Sequence, residues 1–340
     1  MIEKKEYVLG MDGGGTKTHC ALYDLNGNLK DFMEVGATNH EGMPGGFAEL
    51  KPILYDIFDN ILKRNDIGKE QLKYCVFGMA GVDTRNQHHI ISKIIEEYGI
   101  KDFVLCNDSY LGIKAGSSNG SGICLINGTG FSVTGIDPKG SMLQIGGVGS
   151  LTGDKGGGSY LIEKIIGTVY NSLYKGTEQT RMKDRMFEIL GINDKEDYIE
   201  TVTEQLESNR QEITGKINRM IYEVANENDQ VALSILEEVG EEYARSIGGM
   251  IRELDFSSTS KVEVILAGSN FTKCANPTSI NKLKNIVESH YKEYEMDIKI
   301  LKEPCVIGAV LWALQQVNDS VNLRDSVIRE YHDKINDYLV

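Results

Sequence analysis

The stretch Met11–Lys17, with the sequence MDGGGTK, follows the apolar run Tyr7–Gly10 and precedes a second strand-like run, Thr18–Tyr23. Glycine allows positive φ and lets the backbone approach a ligand that a Cβ atom would push away, so the three glycines predict a ligand-binding turn. Asp12, directly before them, supplies a carboxylate that can hold a hydrated cation. An ordinary hairpin turn is the alternative, but three consecutive glycines are entropically costly without a reason for close approach.

A weaker copy of this pattern occurs in the second half of the chain. Asn127–Gly130 (NGTG) follows the strand-like run Gly122–Ile126 and precedes another such run. Asp24–Gly27 (DLNG) and Asp137–Gly140 (DPKG) then follow in corresponding places, and both are hairpin-turn signals. Chance similarity of two hairpins is the alternative. The ordered copy favours a duplication, and we expect two related domains that hold the phosphate tail of a nucleotide between them.

Composition places limits on the class of protein. The chain has 340 residues, 41% hydrophobic and 25% charged, which suits two globular domains. A net charge of −14 argues against a nucleic-acid partner. No apolar run is long enough to span a bilayer and the chain opens with charged residues, so we expect no membrane contact, no signal peptide and a cytoplasmic location.

Cysteine usage agrees with a reducing compartment. No CxxC motif occurs, which argues against a zinc site or a disulfide framework. We expect buried free thiols at the scattered positions Cys20, Cys75, Cys106, Cys124, Cys274 and Cys305.

The order of elements predicts the fold class. Strands and helices alternate after an opening group of three strands, which indicates an α/β protein with mixed sheets covered by helices. The small-residue stretch Gly116–Gly122 is the clearest boundary. We therefore predict an N-terminal domain at 1–118, joined by a C-terminal helix at 320–340, and a C-terminal domain at 119–319 with a helical insertion.

Four further segments are candidates for chemistry. Asp108 follows the strand Phe103–Cys106, where α/β folds place reactive groups, and could accept a hydroxyl proton; it could equally be a helix N-cap. Gly146–Gly158 has seven glycines in thirteen residues and an embedded acid, which favours a ligand loop over a flexible linker. Ala267–Asn270 could admit a base or phosphate, or be a simple loop. Thr38–His40 offers the Asn39 amide to a sugar hydroxyl, or is a solvated turn.

Taken in this order over nearly the whole chain, these motifs resemble the actin-like sugar-kinase and heat-shock ATPase superfamily. More closely, they resemble its N-acetylglucosamine kinase and activase-ATPase family. The resemblance implies two actin-like (ribonuclease H-like) domains with a nucleotide cleft between them, ATP and Mg²⁺ as cofactors, a small-molecule sugar substrate and a homodimer.

The resemblance also implies a role for each matching position. Asp108 would be the catalytic base and Asp12 the metal-binding residue. ATP and its phosphates would be bound by Gly13, Gly14, Gly15, Thr16, Lys17, Gly128, Thr129, Gly130, Gly268, Ser269 and Asn270. The sugar would be bound by Asn39, Asp108, Thr129, Gly146, Gly147 and Asp154.

Two positions depart from the family pattern, because N-acetylglucosamine kinases have Trp where Val148 stands and Glu where Lys155 stands. The predicted reaction is phosphorylation of the 6-hydroxyl of N-acetylglucosamine, with N-acetylmuramic acid as a further substrate. The alternatives are a glucosamine or glucose kinase, a non-catalytic sugar sensor, and an activase ATPase that drives electron transfer. The last needs cysteines exposed on a dimer axis, and Cys124 lies within a predicted strand.

Overall fold

The structure is a computed structural model that describes residues 5–273, 276–317 and 323–338. Cys274 and part of the predicted helix at 320–340 lie outside the described residues. By its internal contacts the chain divides into two compact units. The first unit comprises the described residues of the ranges 1–124, 134–142 and 301–340, and the second comprises those of 125–133 and 143–300.

Two five-stranded sheets with the same topology form the framework. The first has the order β3-β2-β1-β4-β5 and the second, read in the matching direction, β8-β7-β6-β9-β10. In each, the first strand in sequence is central, the next two lie on one side and the last two on the other. The strands are β1 (Tyr7–Gly13), β2 (Lys17–Asp24), β3 (Leu29–Gly36), β4 (Leu72–Met79), β5 (Phe103–Cys106), β6 (Gly122–Asn127), β7 (Phe131–Ile136), β8 (Met142–Gly146), β9 (Lys261–Ala267) and β10 (Glu295–Ile300).

The helices follow the predicted alternation in the first half and cluster in the second. They are α1 (Gly46–Arg64), α2 (Arg85–Tyr98), α3 (Ser109–Gly116), α4 (Gly158–Tyr174), α5 (Met182–Leu190), α6 (Tyr198–Ser208), α7 (Arg210–Asn226), α8 (Gln230–Glu253), α9 (Ser269–Thr272), α10 (Thr278–His290), α11 (Cys305–Val317) and α12 (Arg324–Lys334). Among the described residues, none of these helices combines the length and the apolarity that crossing a bilayer requires.

The two predicted hairpin turns have the same hydrogen bonds. Gly27 N donates to Asp24 O at 3.0 Å, and Gly140 N donates to Asp137 O at 2.9 Å. In each turn the aspartate Oδ1 also accepts from the amides two and four residues later. Gly27 and Gly140 both have φ in the left-handed region, at 81° and 87°. The predicted duplication is therefore present in topology and in local bonding.

Residue alternation along β1 covers both faces of the first sheet. Leu9 and Met11 belong to the apolar core that α1 and α2 complete, with Phe58 and Phe77 among its largest members. Gly10 faces the other way, where a Cβ atom would lie 2.8 Å from the Val310 backbone nitrogen of α11. Parallel pairing of β1 with β4 and of β4 with β5 brings their carboxyl ends to one edge of the sheet.

The contacts of α11 bear on the predicted division of the chain. This helix packs on the first sheet and on α3, so the residues from Leu301 onward group with the first unit. The sequence boundary had assigned residues up to 319 to the second domain. The ranges 1–118 and 119–319 stay predictions about separately folding domains.

The close approach of α11 to α3 predicts that Gly308→Ala destabilises the protein. A Cβ atom there would lie 2.1 Å from Leu111 O and 2.8 Å from Ala115 N, and neither backbone atom can yield cheaply. We expect a loss of about 1–3 kcal/mol in the free energy of unfolding, measured by urea denaturation. Gly167→Ala in α4 is the matched control, because nothing lies within 4 Å of its Cβ position and it should gain about 0.5–1 kcal/mol. Equal effects of the two substitutions would contradict the packing argument.

Candidate functional site

In the first unit, three loops are bonded together at the edge of the sheet where β1 and β4 end. Ala80 N, after β4, donates to Gly13 O at 2.8 Å, and Thr38 N, after β3, donates to Gly14 O at 3.1 Å. The Thr38 and Thr18 hydroxyls are hydrogen-bonded at 2.8 Å. The first glycine turn is thus held by backbone bonds on two sides, beside the Thr38–Asn39 segment that the sequence predicted for substrate contact.

The glycines of this turn lie close to other atoms of the protein itself. None of Gly13, Gly14 and Gly15 has positive φ. A Cβ on Gly13 would lie 2.5 Å from Thr38 Oγ1, and one on Gly14 would lie 2.8 Å from Lys17 O. Glycine is required at these two positions because the paired strands and the next loop leave no space.

Two aspartates in the first unit have perturbed acidities. Burial, together with the neighbouring Asp12 and Asp83 carboxylates, raises the pKa of Asp108 to about 7. Burial likewise raises the pKa of Asp12 to about 6, although His19 and Lys17 oppose the shift. Buried carboxylates that share one region disfavour each other's charge. Such shifts are concentrated at functional sites, and this cluster is therefore our candidate catalytic centre.

Asn107 takes the capping role that the sequence left open for Asp108. Its Oδ1 accepts hydrogen bonds from Ser109 N at 3.0 Å and from the Ser109 hydroxyl, while its Nδ2 donates to Asp83 Oδ1 at 2.9 Å. The Asp108 side chain makes no cap hydrogen bond to α3, although the backbone amides of Ser109 and Asp108 partly offset the rise in its pKa. Because the neighbour caps the helix, Asp108 is available for chemistry.

The Thr38–His40 segment offers one amide donor and one buried imidazole. Asn39 Oδ1 accepts from Glu41 N at 3.0 Å, so that oxygen caps a short 3-10 turn and leaves Nδ2 as the group for a ligand. The Nδ2 atom lies 4.0 Å from the Cβ position of Gly15, next to the first turn. His40 stacks on Phe47 with ring centroids 4.0 Å apart, which supports the structural reading of that histidine.

Lys17 and Thr16, at the far side of the first turn, are exposed. The Lys17 ammonium pairs with Glu34 at 2.9 Å across β2 and β3, and the same carboxylate oxygen accepts from His19. Exposed pairs of this kind contribute little to stability, so Lys17 can exchange its partner at low cost. Its predicted phosphate contact stays a prediction.

In the second unit, the second glycine turn is bonded to the start of α4. Gly158 N donates to Gly128 O at 2.8 Å and Ser159 N donates to Thr129 O at 2.9 Å. A Cβ on Gly157 would lie 2.6 Å from Gly130 C. The long glycine-rich segment therefore needs glycine at its end, because this end packs directly on the second glycine turn, Asn127–Gly130.

The segment Ala267–Asn270 approaches the same turn. Gly268 has φ of 102°, and a Cβ there would lie 2.3 Å from Asn127 O. Asn270, at the start of α9, donates to Asn127 Oδ1 at 2.7 Å. These contacts bring Gly268, Ser269 and Asn270 beside Gly128.

Asp154 organises the glycine-rich loop. Its Oδ2 accepts from Gly147 N at 2.9 Å and from Gly149 N at 2.8 Å, while its Oδ1 accepts from Thr152 Oγ1 at 2.8 Å. Gly146, Gly147, Gly149 and Gly153 all have positive φ, between 73° and 93°. These four glycines have a backbone conformation that other residues rarely adopt, and the carboxylate that was predicted to bind sugar holds the loop in shape.

Two cavities flank the second turn. The first has a volume of about 350 Å³ and includes four predicted residues, Gly128, Thr129, Ser269 and Asn270. Its remaining lining was not anticipated: Gly158, Ser159, Ile162, Glu163, Ile166, Leu206, Arg210, Gln211, Thr214, Gly215 and Asn218. These residues come from α4, the end of α6 and α7, whose amphipathic patterns alone do not distinguish a cavity wall from a packed face.

The second cavity, of about 330 Å³, lies under the glycine-rich loop. Thr129, Gly130, Asp154 and Lys155 contribute to its wall, so two residues predicted for the sugar, Thr129 and Asp154, are brought together. Gly146 and Gly147 do not line it, and Val148 is 48% exposed. Both cavities have the size of small-molecule sites.

No group of three or more His, Cys, Asp or Glu side chains with metal-binding geometry occurs in the described part of the chain. Mg²⁺ is commonly held by only one or two carboxylates together with substrate phosphates and water. The partly buried Asp12 fits that pattern, because a cation would relieve the cost of its burial.

Comparison with known proteins identifies the fold and the family of this chain. Two copies of one α/β topology, each with a glycine turn after its first strand, define an actin-like ATPase fold, and the predicted fold class is confirmed. Residues 9–313 match the BadF/BadG/BcrA/BcrD ATPase family, and the chain belongs to that family.

The chain is similar to two curated relatives and to one solved structure. The N-acetylmuramic acid/N-acetylglucosamine kinase of Clostridium acetobutylicum is 26% identical over 77% of this chain and 85% of its own length. The N-acetyl-D-glucosamine kinase of Dictyostelium discoideum is 24% identical over 91% and 98%. The crystal structure of a proposed N-acetylglucosamine kinase from Chromobacterium violaceum superposes with a TM-score of 0.66 at 17% identity, covering 92% of this chain and 99% of that one.

The burial of Asp108 predicts that its charge destabilises the protein. A pKa raised from 3.8 to about 7 means that the folded state prefers the neutral acid, so stability falls as pH rises between those values. Asp108→Asn should therefore unfold at a higher temperature than wild type at pH 8, by the equivalent of about 1–3 kcal/mol, with a smaller gain at pH 5. The exposed Asp102→Asn is the control and should change stability by less than about 0.5 kcal/mol. A less stable Asp108→Asn variant would instead indicate a lost helix cap.

Proposed function

We propose that this chain is an ATP-dependent kinase that transfers a phosphoryl group to the 6-hydroxyl of N-acetylglucosamine or N-acetylmuramic acid. The observation that carries the proposal is Asp108, a half-buried carboxylate at the carboxyl edge of the first sheet whose pKa is raised to about 7. The family match and the two curated kinase relatives support the reaction class.

In the proposed mechanism Asp108 orients the sugar hydroxyl and accepts its proton. The sugar oxygen then forms a bond to the γ-phosphorus, the bond to the β–γ bridging oxygen breaks, and ADP leaves with that electron pair. A base with a pKa near neutrality is well matched to this task at physiological pH. Asn39 Nδ2 would bind a sugar oxygen beside the first turn.

The remaining roles concern charge. Asp12 would hold Mg²⁺, which neutralises charge on the β- and γ-phosphates when bound. Backbone amides of the two glycine turns other than Gly14 N and Gly128 N, which already donate to Lys17 O and Gly130 O, would donate to phosphate oxygens. Gly13–Gly15 would serve the first turn, with Thr16 and Lys17, and Gly128–Gly130 the second, with Gly268–Asn270 beside the nucleoside.

The rival activity, an activase that drives electron transfer, needs exposed thiols. Among the described cysteines, Cys20, Cys75, Cys106 and Cys124 are buried and Cys305 is half-buried, against the expectation for that position, and burial raises the pKa of each thiol. A thiol that resists ionisation is a poor metal ligand. These thiols therefore give no support to a cluster-bearing activase.

The kinase proposal predicts ADP release that depends on an amino sugar and on Asp108. Wild-type protein with Mg²⁺ and ATP should release ADP faster with N-acetylglucosamine than with glucose, in a coupled assay. The kcat/KM for the sugar should rise with pH through about 7, where the free-enzyme base loses its proton. Asp108→Asn should lose about 10²–10⁴-fold in kcat and keep its nucleotide affinity, whereas Asp102→Asn stays near wild type.

Two outcomes would contradict the kinase proposal. One is ATP hydrolysis at the same rate with and without any sugar of the panel. The other is near-normal turnover by Asp108→Asn, which would remove this carboxylate from the chemistry.

Lys155 distinguishes the two candidate sugars. N-acetylmuramic acid carries a lactyl carboxylate that N-acetylglucosamine lacks, and Lys155 lines the cavity of about 330 Å³ next to Asp154. Its ammonium lies 3.5 Å from Glu238, which is already paired with Lys164 at 2.7 Å and accepts from Tyr160 at 2.8 Å. Lys155 can therefore turn to an anionic substrate without leaving Glu238 unpaired.

We therefore expect Lys155→Glu to impair N-acetylmuramic acid selectively. Replacing attraction by repulsion at a partly buried carboxylate should lower kcat/KM for this sugar at least about tenfold more than for N-acetylglucosamine. Lys164→Gln, which touches the same Glu238 but does not line the cavity, is the control and should leave the ratio of the two sugars unchanged. An unchanged ratio in Lys155→Glu would show that the lactyl group binds elsewhere.

A further inference from the structure

A chain of side-chain amides leads from the second glycine turn into the cavity of about 350 Å³. Asn218 Nδ2 donates to Asn270 Oδ1 at 2.7 Å, and Asn270 Nδ2 donates to Asn127 Oδ1 at 2.7 Å. Asn127 Nδ2 in turn donates to the Tyr243 hydroxyl. All four side chains belong to the second unit.

Backbone carbonyls fix the direction of every bond in this chain. Asn270 Nδ2 also donates to Gly128 O at 3.3 Å, and the Tyr243 hydroxyl donates to Gly156 O at 3.4 Å. A carbonyl can only accept a hydrogen bond, so the nitrogen of the Asn270 amide must face Gly128 O. Its Oδ1 then faces Asn218 and must accept a hydrogen bond from it. Asn218 therefore presents its nitrogen to Asn270, and its oxygen points away from the chain.

That oxygen has no partner. Asn218 Oδ1 is buried and accepts no hydrogen bond, while its residue lines the cavity. Leaving a buried acceptor unpaired is costly, and such an atom in a native structure calls for an explanation. The orientation of the amide chain makes Asn218 Oδ1 the atom that faces away from it, and this atom can only accept. A ligand group that pairs with Asn218 Oδ1 must therefore be an O–H or N–H donor.

The two helices that wall the cavity indicate how a nucleotide would be oriented along it. Ser159 is bonded to the turn, and Ile166 lies seven residues further along α4, about 10 Å away. On α7, Asn218 is linked to the turn through Asn270, and Arg210 lies eight residues earlier, about 12 Å away. Asn218 is thus at the end near the phosphate-type turn, and the apolar wall of Ile162, Ile166 and Leu206 extends toward the other end.

We propose that Asn218 Oδ1 accepts a hydrogen bond from a ribose hydroxyl of the bound nucleotide and so makes the protein selective for ribonucleotides. With the phosphates at the turn and the flat base against the apolar wall, the ribose is the part of the nucleotide that lies nearest Asn218. This inference rests on the proposed use of ATP but not on the identity of the sugar substrate.

The test is equilibrium binding of ATP, 2′-deoxy-ATP and 3′-deoxy-ATP by isothermal titration calorimetry, without sugar. Wild-type protein should bind one of the two deoxy analogues about tenfold more weakly than ATP, as expected for a lost hydrogen bond to a buried acceptor. Asn218→Ala should weaken ATP about tenfold and bind ATP and that analogue equally. Lys216→Ala, on the same helix but outside the cavity, should keep the wild-type preference.

Three outcomes would overturn the inference. Equal affinity of the wild-type protein for all three nucleotides would overturn it. This outcome does not depend on whether Asn218→Ala is stable in a thermal melt. The inference would also be overturned by a ratio in Asn218→Ala that matches wild type, or by a loss of ATP-over-GTP preference in place of ribose preference, which would assign Asn218 to the base. Phosphorylation of no sugar, together with the expected ribose preference, would refute only the kinase proposal.

Discussion

The confinement of Asp12 and Asp108 to one edge of a buried sheet is the constraint on which the rest of the site depends. Burial raises the pKa of both carboxyl groups, and the Asp12 carboxylate raises that of Asp108 further. A bound cation favours the ionised form of a carboxyl group, and so does a hydroxyl that donates a hydrogen bond to it. In the proposed reaction, Mg²⁺ would bind the Asp12 carboxylate, and the sugar hydroxyl would donate a hydrogen bond to the Asp108 carboxylate.

Close packing of backbone segments at glycines fixes the positions of the two glycine turns. Gly10 and Gly308 let α11 lie directly on β1 and α3, and Gly13 lets the loop after β3 lie against the end of β1. The same device recurs in the second unit, where Gly157 and Gly268 approach the second turn. Glycine-mediated contacts therefore fix the positions of the turns, and their amides are oriented before any ligand binds.

Features encoded by neighbouring residues were predictable from the sequence. The strands around Met11–Lys17 and the turns at Asp24 and Asp137 follow from local chemistry, and the structure contains them. The role of Asn107 was not predictable, because two adjacent polar residues compete for one helix cap. The cavity residues Ile166 and Asn218 gave no signal, since their helices carry ordinary amphipathic patterns and the wall forms only by tertiary packing.

The central claim, phosphoryl transfer from ATP to an amino-sugar hydroxyl, is tested most directly by the chemical identity of the product. Phosphorus–proton correlation spectroscopy of N-acetylglucosamine incubated with the protein, Mg²⁺ and ATP should show phosphorus coupled to the protons on carbon 6, with one ADP formed per phosphorylated sugar. Unmodified sugar accompanied by ADP and inorganic phosphate would contradict the account.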